Sequence, residues 1–444
     1  MFTDFKPLEN ALREIRATRR FGRVLAVESG AIRLSGLSRH GHVGDRIRIS
    51  RRSGGTVDGE IVALSRTSAL TMLYGPPEGI AIDDEAELLP PRGIRPSQAW
   101  IGRVVDAFGN AMDGAPLFNG DRPVPLRRAP PLATLRRTLG GRLQTSLAVF
   151  NTVLPLARGQ RIGIFAGSGV GKSSLLAEMA RRLEADVVVI ALIGERGREL
   201  RDFTEQVLGA EGMKRAVVVT ATSDQSPLVK RRAAWTAMAV AEYFRDQGKH
   251  VLLLMDSITR FAEAHREVAL TAGEAPSLRA YPPSTANLIA GLAERAGPGP
   301  SGSGDITAVF TVLVAGSDME EPVADITRGV LDGHVILSRD IAERGRFPAV
   351  DTARSVSRSL PTIASDAENA LLARARRIVA TYEKAEPMVQ TGLYISGSDP
   401  EIDEAITLWP ALDAFFARNI AEPPEDSFAA LAGILEPSDP VLDA

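Results

Sequence analysis

From Phe21 to about Leu89, short apolar runs alternate with glycine-rich or polar breaks: GRVLAV, AIRLSG, GDRIRIS, GEIVALS and ALTMLYG. Short β-type runs punctuated by turn signals predict a small β-barrel. The stretches Pro90–Pro96 and Asp121–Pro131, with GRVVDAFGNAMDG between them, mark the entry into a second domain. From Arg161 the pattern changes. Apolar runs (RIGIFAG, DVVVIALIG, RAVVVTAT, HVLLLMDS) now alternate with helical patterns that start at Gly171, cover Arg196–Leu208 and Val229–Gln247, and resume after HVLLLMDS. Buried-type strands separated by helices predict a parallel sheet covered on both faces. The runs TAVFTVLVAG and GHVILS extend that sheet, and beyond Leu360 the pattern is helical, most clearly in AENALLARARRIVATYEKA. PGPSGSGD at Pro298–Asp305 reads as a mobile loop. The expected organisation is a segment 1–20, a barrel 21–92, an α/β domain 93–362 and a helical domain 363–444.

Composition narrows the class. A chain of 444 residues, 44% hydrophobic and 24% charged, has material for two or three packed domains. Its 52 basic and 55 acidic residues leave a formal net charge of -3, which argues against nucleic acid as the main partner. With no cysteine, nothing requires an oxidising compartment, so a cytosolic home is expected. The N-terminal sequence lacks the apolar core of a signal peptide, and no apolar run approaches the roughly 20 residues of a membrane span, so membrane contact is expected to be peripheral. Leu8, Leu12 and Ile15 fit a short amphipathic helix, readable equally as a partner-binding or membrane-surface segment or as a packed terminus.

The candidate chemistry lies where the strands end. A phosphate cradle needs inward-pointing backbone N–H groups, small residues, a lysine for the β/γ-phosphates and a hydroxyl for magnesium. The run AGSGVGKS, comprising Ala166, Gly167, Ser168, Gly169, Val170, Gly171, Lys172 and Ser173, supplies them between a strand and a helix, and Ser174 follows. The ligands implied are ATP and Mg2+, with Ser173 on the metal. Ligands of an open parallel sheet sit beyond the carboxyl ends of its strands, which directs attention to the polar residues there. Asp256, after VLLLM, stands where a carboxylate positions magnesium, with a helix N-cap as the plainer reading. Glu195, after DVVVIALIG, could orient or deprotonate the attacking water, with an ion pair inside GERGRE as the alternative. The five histidines form no metal-ligand spacing and read as structural or surface residues.

With these features in place, the sequence resembles the catalytic subunits of rotary ATP synthases and, more closely, the type III export ATPases, the flagellum-specific ATPases above all. Besides RGQRIGIFAGSGVGKSSLL, the resemblance is carried by GRVVDAFGNAMDG, IGERGRE, AVAEYFRDQGKHVLLLMDSITRFA, HREVALTAGE, AYPPS, FTVLVAGSDMEEPVAD, LDGHVILSR, FPAVDTARSVSR and GSDPEIDEA, almost end to end. It implies a RecA-like P-loop core between an N-terminal β-barrel and a C-terminal helical domain. It also implies that Lys172 and Ser173 bind phosphate and magnesium, that Glu195 is the catalytic glutamate and Asp256 the magnesium-positioning aspartate, and that Arg196 and Arg260 lie near the γ-phosphate. Arg358, in SVSR, matches the residue that reaches into a neighbouring subunit's site, so one chain would carry both halves of a shared site in a homohexamer; a surface ion pair is the alternative. Phe347 aligns with an aromatic that stacks on adenine, core packing being an equal reading. Tyr394 could approach the base from the helical domain, although core packing is the simpler reading.

Two departures remove no catalytic group: Ala280 in AYPPST replaces a common glycine, and LQTSLAVFNTV at Leu143–Val153 differs from the usual run. No acidic shaft-coupling element like that of the synthases is evident, which favours an export ATPase. The resemblance implies that it helps unload and export flagellar proteins through a type III apparatus, peripherally at the inner membrane. The implied partners are a flagellar export regulator, a stalk-like protein, the export gate and chaperone–substrate complexes. An ATPase of a virulence injectisome is the near alternative; a non-catalytic ring component and a hexameric nucleic-acid translocase are the distant ones.

Overall fold

The computed structural model describes residues 18–28, 30–90, 93–277, 280–314, 319–419 and 423–436. The amphipathic positions Leu8, Leu12 and Ile15 lie outside them. The described chain forms two compact units. One holds the barrel with Gln225–Val229 and Ala264–Pro282; the other holds Gly93–Asp224, Lys230–Glu263 and the described chain from Pro283 onward.

The barrel strands are β1 (Arg20–Glu28), β2 (Ala31–Ser35), β3 (Arg46–Ser50), β4 (Thr56–Leu64), β5 (Ala69–Leu73) and β6 (Glu85–Leu89). They close antiparallel in the order β1-β2-β5-β4-β3-β6, so that no edge is left to pair elsewhere. Val24, Ile32, Leu34, Ile47, Ile49, Ile61 and Leu88 fill the interior. The sixth strand, EAELL, does not stand out in the sequence, because Glu85 and Glu87 occupy its outward positions and leave only two inward apolar residues before its end.

The second unit is built on β7 (Val104–Asp106), β8 (Arg161–Ala166), β9 (Val187–Glu195), β10 (Ala216–Thr222), β11 (His250–Asp256), β12 (Gly297–Pro298), β13 (Asp305–Leu313), β14 (Gly333–Leu337) and β15 (Val350–Ser357). The sheet order is β15-β14-β8-β13-β11-β9-β10-β7, with β12 beside β13. From β14 to β7 the neighbours are parallel; β15 runs antiparallel to β14. Strands β9, β11 and β13 are buried almost throughout, as their unbroken apolar runs require. Strand β15 is not legible from pattern, since at the sheet edge its sequence VDTARSVS is largely polar. The region Arg196–Leu208 is helical but not uniform: α-helix over Gly197–Asp202 gives way to a π-helical turn at Phe203–Leu208, which buries Phe203 and Leu208. The segment read as mobile is an ordered hairpin instead. Arg137 donates to the carbonyls of Ser303 and Gly304, and Gly304 N–H donates to the Arg245 carbonyl.

The C-terminal helices Asp366–Gln390, Pro400–Phe416 and Pro424–Leu435 begin well defined, with a Ser365/Glu368 capping box on the first and Asp399 capping the second. Their apolar faces, including Leu412, Phe415, Phe416, Phe428 and Leu431, join one continuous core with Phe150, Val153 and Leu154. The buried Asn151–Ser427 hydrogen bond at 3.1 Å and the Arg346–Asp413 ion pair at 3.0 Å fix that docking. The departing segment Leu143–Val153 is therefore where the core receives these helices.

Candidate active site

Strand β8 delivers the phosphate loop. Ala166 is buried at its end, Val170 anchors the loop from inside, and Ser168 and Gly169 face outward. Gly171 has φ of 86° and precedes the helix Lys172–Arg182, whose N-terminus has no side-chain cap. The first N–H groups of that helix are thus left for an anion, where the helix dipole favours one. Ser173 and Ser174 lie at the same helix start, both exposed. These features fit a phosphate cradle with a hydroxyl beside it for a hard cation.

Strands β8, β13 and β11 are neighbours, and this brings Lys172, Thr311 and Asp256 together. Lys172 Nζ stands 2.5 Å from Asp256 Oδ1, and the same oxygen accepts from Thr311 Oγ1 at 2.7 Å. Asp256 is 4% exposed, so its charge is held by these two donors rather than by solvent. It is not the helix cap that the plainer reading allowed: Ser257 Oγ accepts from the Arg260 N–H at 3.2 Å and takes that part. Thr311 escapes a reading of the sequence because a threonine inside FTVLV looks like an ordinary strand residue.

Glu195 ends β9, next to β11. Its pKa is raised to about 7, first by burial, then by a hydrogen bond with Glu199 and by the nearby Asp256 charge, against the opposing pull of Lys172. A carboxyl poised near neutrality beside a lysine–carboxylate pair has the properties of a general base. Glu199 is likewise absent from the sequence-based candidates; it is four residues on, within reach because the chain turns helical at Gly197.

The arginines separate. The stem of Arg260 packs over Gly194, where an added Cβ would lie 3.1 Å from its Cγ, and its guanidinium pairs with Glu263 at 2.8 Å. Arg196 is largely exposed, and among the described residues its ion-pair partner is Glu199, at 3.6 Å. Arg358 is exposed just beyond β15 and makes no ion pair with a described residue; only its backbone is tied, to the Asp332 carbonyl at 3.0 Å. Of the aromatic pair, Phe347 is at the phosphate loop, its ring 3.1 and 3.2 Å from where a Gly171 Cβ would stand, yet it is 50% exposed and hence not a core residue. The Tyr394 hydroxyl is engaged inside the helical region, donating to the Asp399 carbonyl and Asp403 Oδ1, each at 3.0 Å.

Similarity to known proteins extends over most of the chain. Residues 146–357 match the ATP synthase alpha/beta family, nucleotide-binding domain, and residues 364–432 match the T3SS EscN ATPase C-terminal domain. The flagellum-specific ATP synthase of Caulobacter vibrioides is 45% identical over 425 residues, covering 94% of this chain and 96% of the relative. The type 3 secretion system ATPase of Xanthomonas euvesicatoria is 40% identical, covering 98% and 97%. The assembled ATPase EscN in complex with its central stalk EscO, from the enteropathogenic E. coli type III secretion system, superposes with a TM-score of 0.81 at 34% identity, covering 93% of this chain and 99% of that one. The chain belongs to the family of flagellum-specific ATP synthases and type III secretion ATPases, and it is an ATPase with the P-loop core of the ATP synthase alpha/beta proteins.

Proposed function

We propose that the protein is the ATPase of a flagellar type III export apparatus, working as a ring of identical subunits whose active sites are shared between neighbours. The carrying observation is the juxtaposition of the Lys172–Asp256 pair with Glu195 at about pKa 7, on adjacent strand ends beside the phosphate loop.

In this reading the helix N-terminus and the loop N–H groups hold the β/γ-phosphates of ATP, and Lys172 turns from Asp256 towards them. Bound magnesium would supply charge neutralisation between phosphates, with Ser173 and Asp256 as the residues that hold it. Glu195 orients the attacking water and accepts its proton. The exposed Phe347 ring offers a face to the base, and Arg260 reaches towards the phosphates from over Gly194. Arg196 and Tyr394 take no part in hydrolysis within one subunit. Arg358, exposed and without an ion pair among the described residues, serves the next subunit in the ring, stabilising charge on the transferring phosphoryl group.

Export partners follow from the same reading: a regulator, a stalk-like protein, the gate and chaperone–substrate complexes, met in the cytoplasm at the inner face of the membrane. No helix among the described residues is long and apolar enough to cross that membrane. Similarity to injectisome ATPases such as that of Xanthomonas euvesicatoria supports a second reading, virulence secretion, with identical chemistry. Steady-state ATPase of the wild type and Glu195→Gln tests the mechanism, since an unchanged rate would reject it. Deletion of the gene in the source organism separates the two cellular roles. Loss of filament assembly supports the flagellar one, and loss of effector secretion alone supports the other.

A further inference from the structure

The segment between β14 and β15 is closed at its base. Ser338 N–H donates to the Ala349 carbonyl at 2.9 Å, directly after the Leu337–Val350 strand pair. Because Leu337 of β14 is also in register with Ala166 of β8, this closed segment leaves the sheet at the level where the phosphate loop begins. It meets that loop twice. Phe347 lies against Gly171, and Arg339 Nη2 approaches the Ser168 carbonyl at 3.4 Å. The second contact is long for a hydrogen bond, but Arg339 forms no ion pair with a described residue, so its charge is available at the apex of the cradle. The same segment then continues through β15 to the exposed Arg358.

We propose that Arg339 is a positioning residue for the phosphate loop, tying its apex through the Ser168 carbonyl to the segment that carries Phe347 and Arg358. The proposal rests on the ATPase reading above but adds a residue to it. An anion in the cradle draws the loop N–H groups inward, which turns the Ser168 carbonyl more acceptor-like and strengthens its bond to the guanidinium. Arg339 thus raises affinity for nucleotide without taking part in proton transfer.

The test compares Arg339→Ala, Arg339→Lys and Glu195→Gln with the wild type. For Arg339→Ala, KM for ATP should rise and ADP with magnesium should bind more weakly by calorimetry, each by about tenfold, the worth of one hydrogen bond to a charged group at its lower end. The kcat should stay within about twofold and the thermal midpoint without nucleotide should not move, while Arg339→Lys, which keeps a donor and the charge, should recover most of the affinity. Unchanged KM and ADP binding would overturn the proposal. So would a kcat loss at constant KM, or a lower midpoint without nucleotide that lysine does not restore, which would make Arg339 structural. If Glu195→Gln stays fully active, the hydrolysis mechanism fails, yet ADP binding still decides the role of Arg339.

Discussion

An ordinary glutamate near 4.5 would be ionised throughout the working range, whereas Glu195, at about 7, is only about one-tenth ionised one pH unit lower. If Glu195 must be ionised to act on water, kcat/KM should fall about tenfold between roughly pH 8 and pH 6, with a single acid limb near 7. The direction follows from the cause: burial, the Glu199 hydrogen bond and the Asp256 charge all disfavour the carboxylate, and only Lys172 opposes them. Replacing Glu199 by Gln removes one of the two negative neighbours, so the limb should move to lower pH. ATPase should be followed with magnesium in excess over nucleotide, so that the substrate's own protonation contributes little. Glu195→Gln should lose the limb together with most of the rate. A flat wild-type profile across this range, or a limb that stays in place in Glu199→Gln, would refute the assignment of the base and of its tuning.

Three further outcomes are expected. Phe347→Ala should raise KM for ATP by about fivefold or more, as expected from about 1–3 kcal/mol per stacked base, with little change in folding stability because the ring is half exposed; an unchanged KM would return Phe347 to a passive role. Arg295→Met should lower unfolding free energy in urea by about 3–5 kcal/mol, because it strands the buried Glu242 that Arg295 holds at 3.0 and 2.7 Å; a loss below about 1 kcal/mol would contradict that reading. Ala280→Gly should stabilise by about 0.5–1 kcal/mol, since Ala280 has φ of 67°, where an L side chain is strained and glycine is not; an unchanged or lower stability would show that the strain is relieved elsewhere.

In sequence, Ala280 stands out only as an alanine in place of a common glycine; its positive φ supplies the physical reason for the glycine. Buried strands announce themselves because both of their faces are apolar, so β8 to β11, β13 and β14 are legible together with the carboxylates at their ends. Edge elements are not: β15 is largely polar and only partly buried, and β6 alternates glutamate with apolar residues. Residues that act through register are also hidden. Thr311 and Arg339 reach the site only because β13 and β14 flank β8, a pairing no local pattern encodes. Asp256 is visible at the end of its apolar run, but its pairing with Lys172, 84 residues away in the chain, is a fact of the fold.

If one chain supplies both halves of a shared site, mixing two inactive variants reveals it most directly. Glu195→Gln protein lacks the base but keeps Arg358; Arg358→Ala protein lacks the finger but keeps Glu195. Each alone should assemble and hydrolyse ATP at a small fraction of the wild-type rate. Combined in equal amounts and allowed to exchange subunits, about a quarter of the head-to-tail interfaces should pair an intact Glu195 with an intact Arg358. ATPase should therefore rise well above that of either parent, to an appreciable fraction of wild type. Activity of the mixture no greater than the average of its two components, with exchange of subunits demonstrated, would contradict a site shared between neighbours.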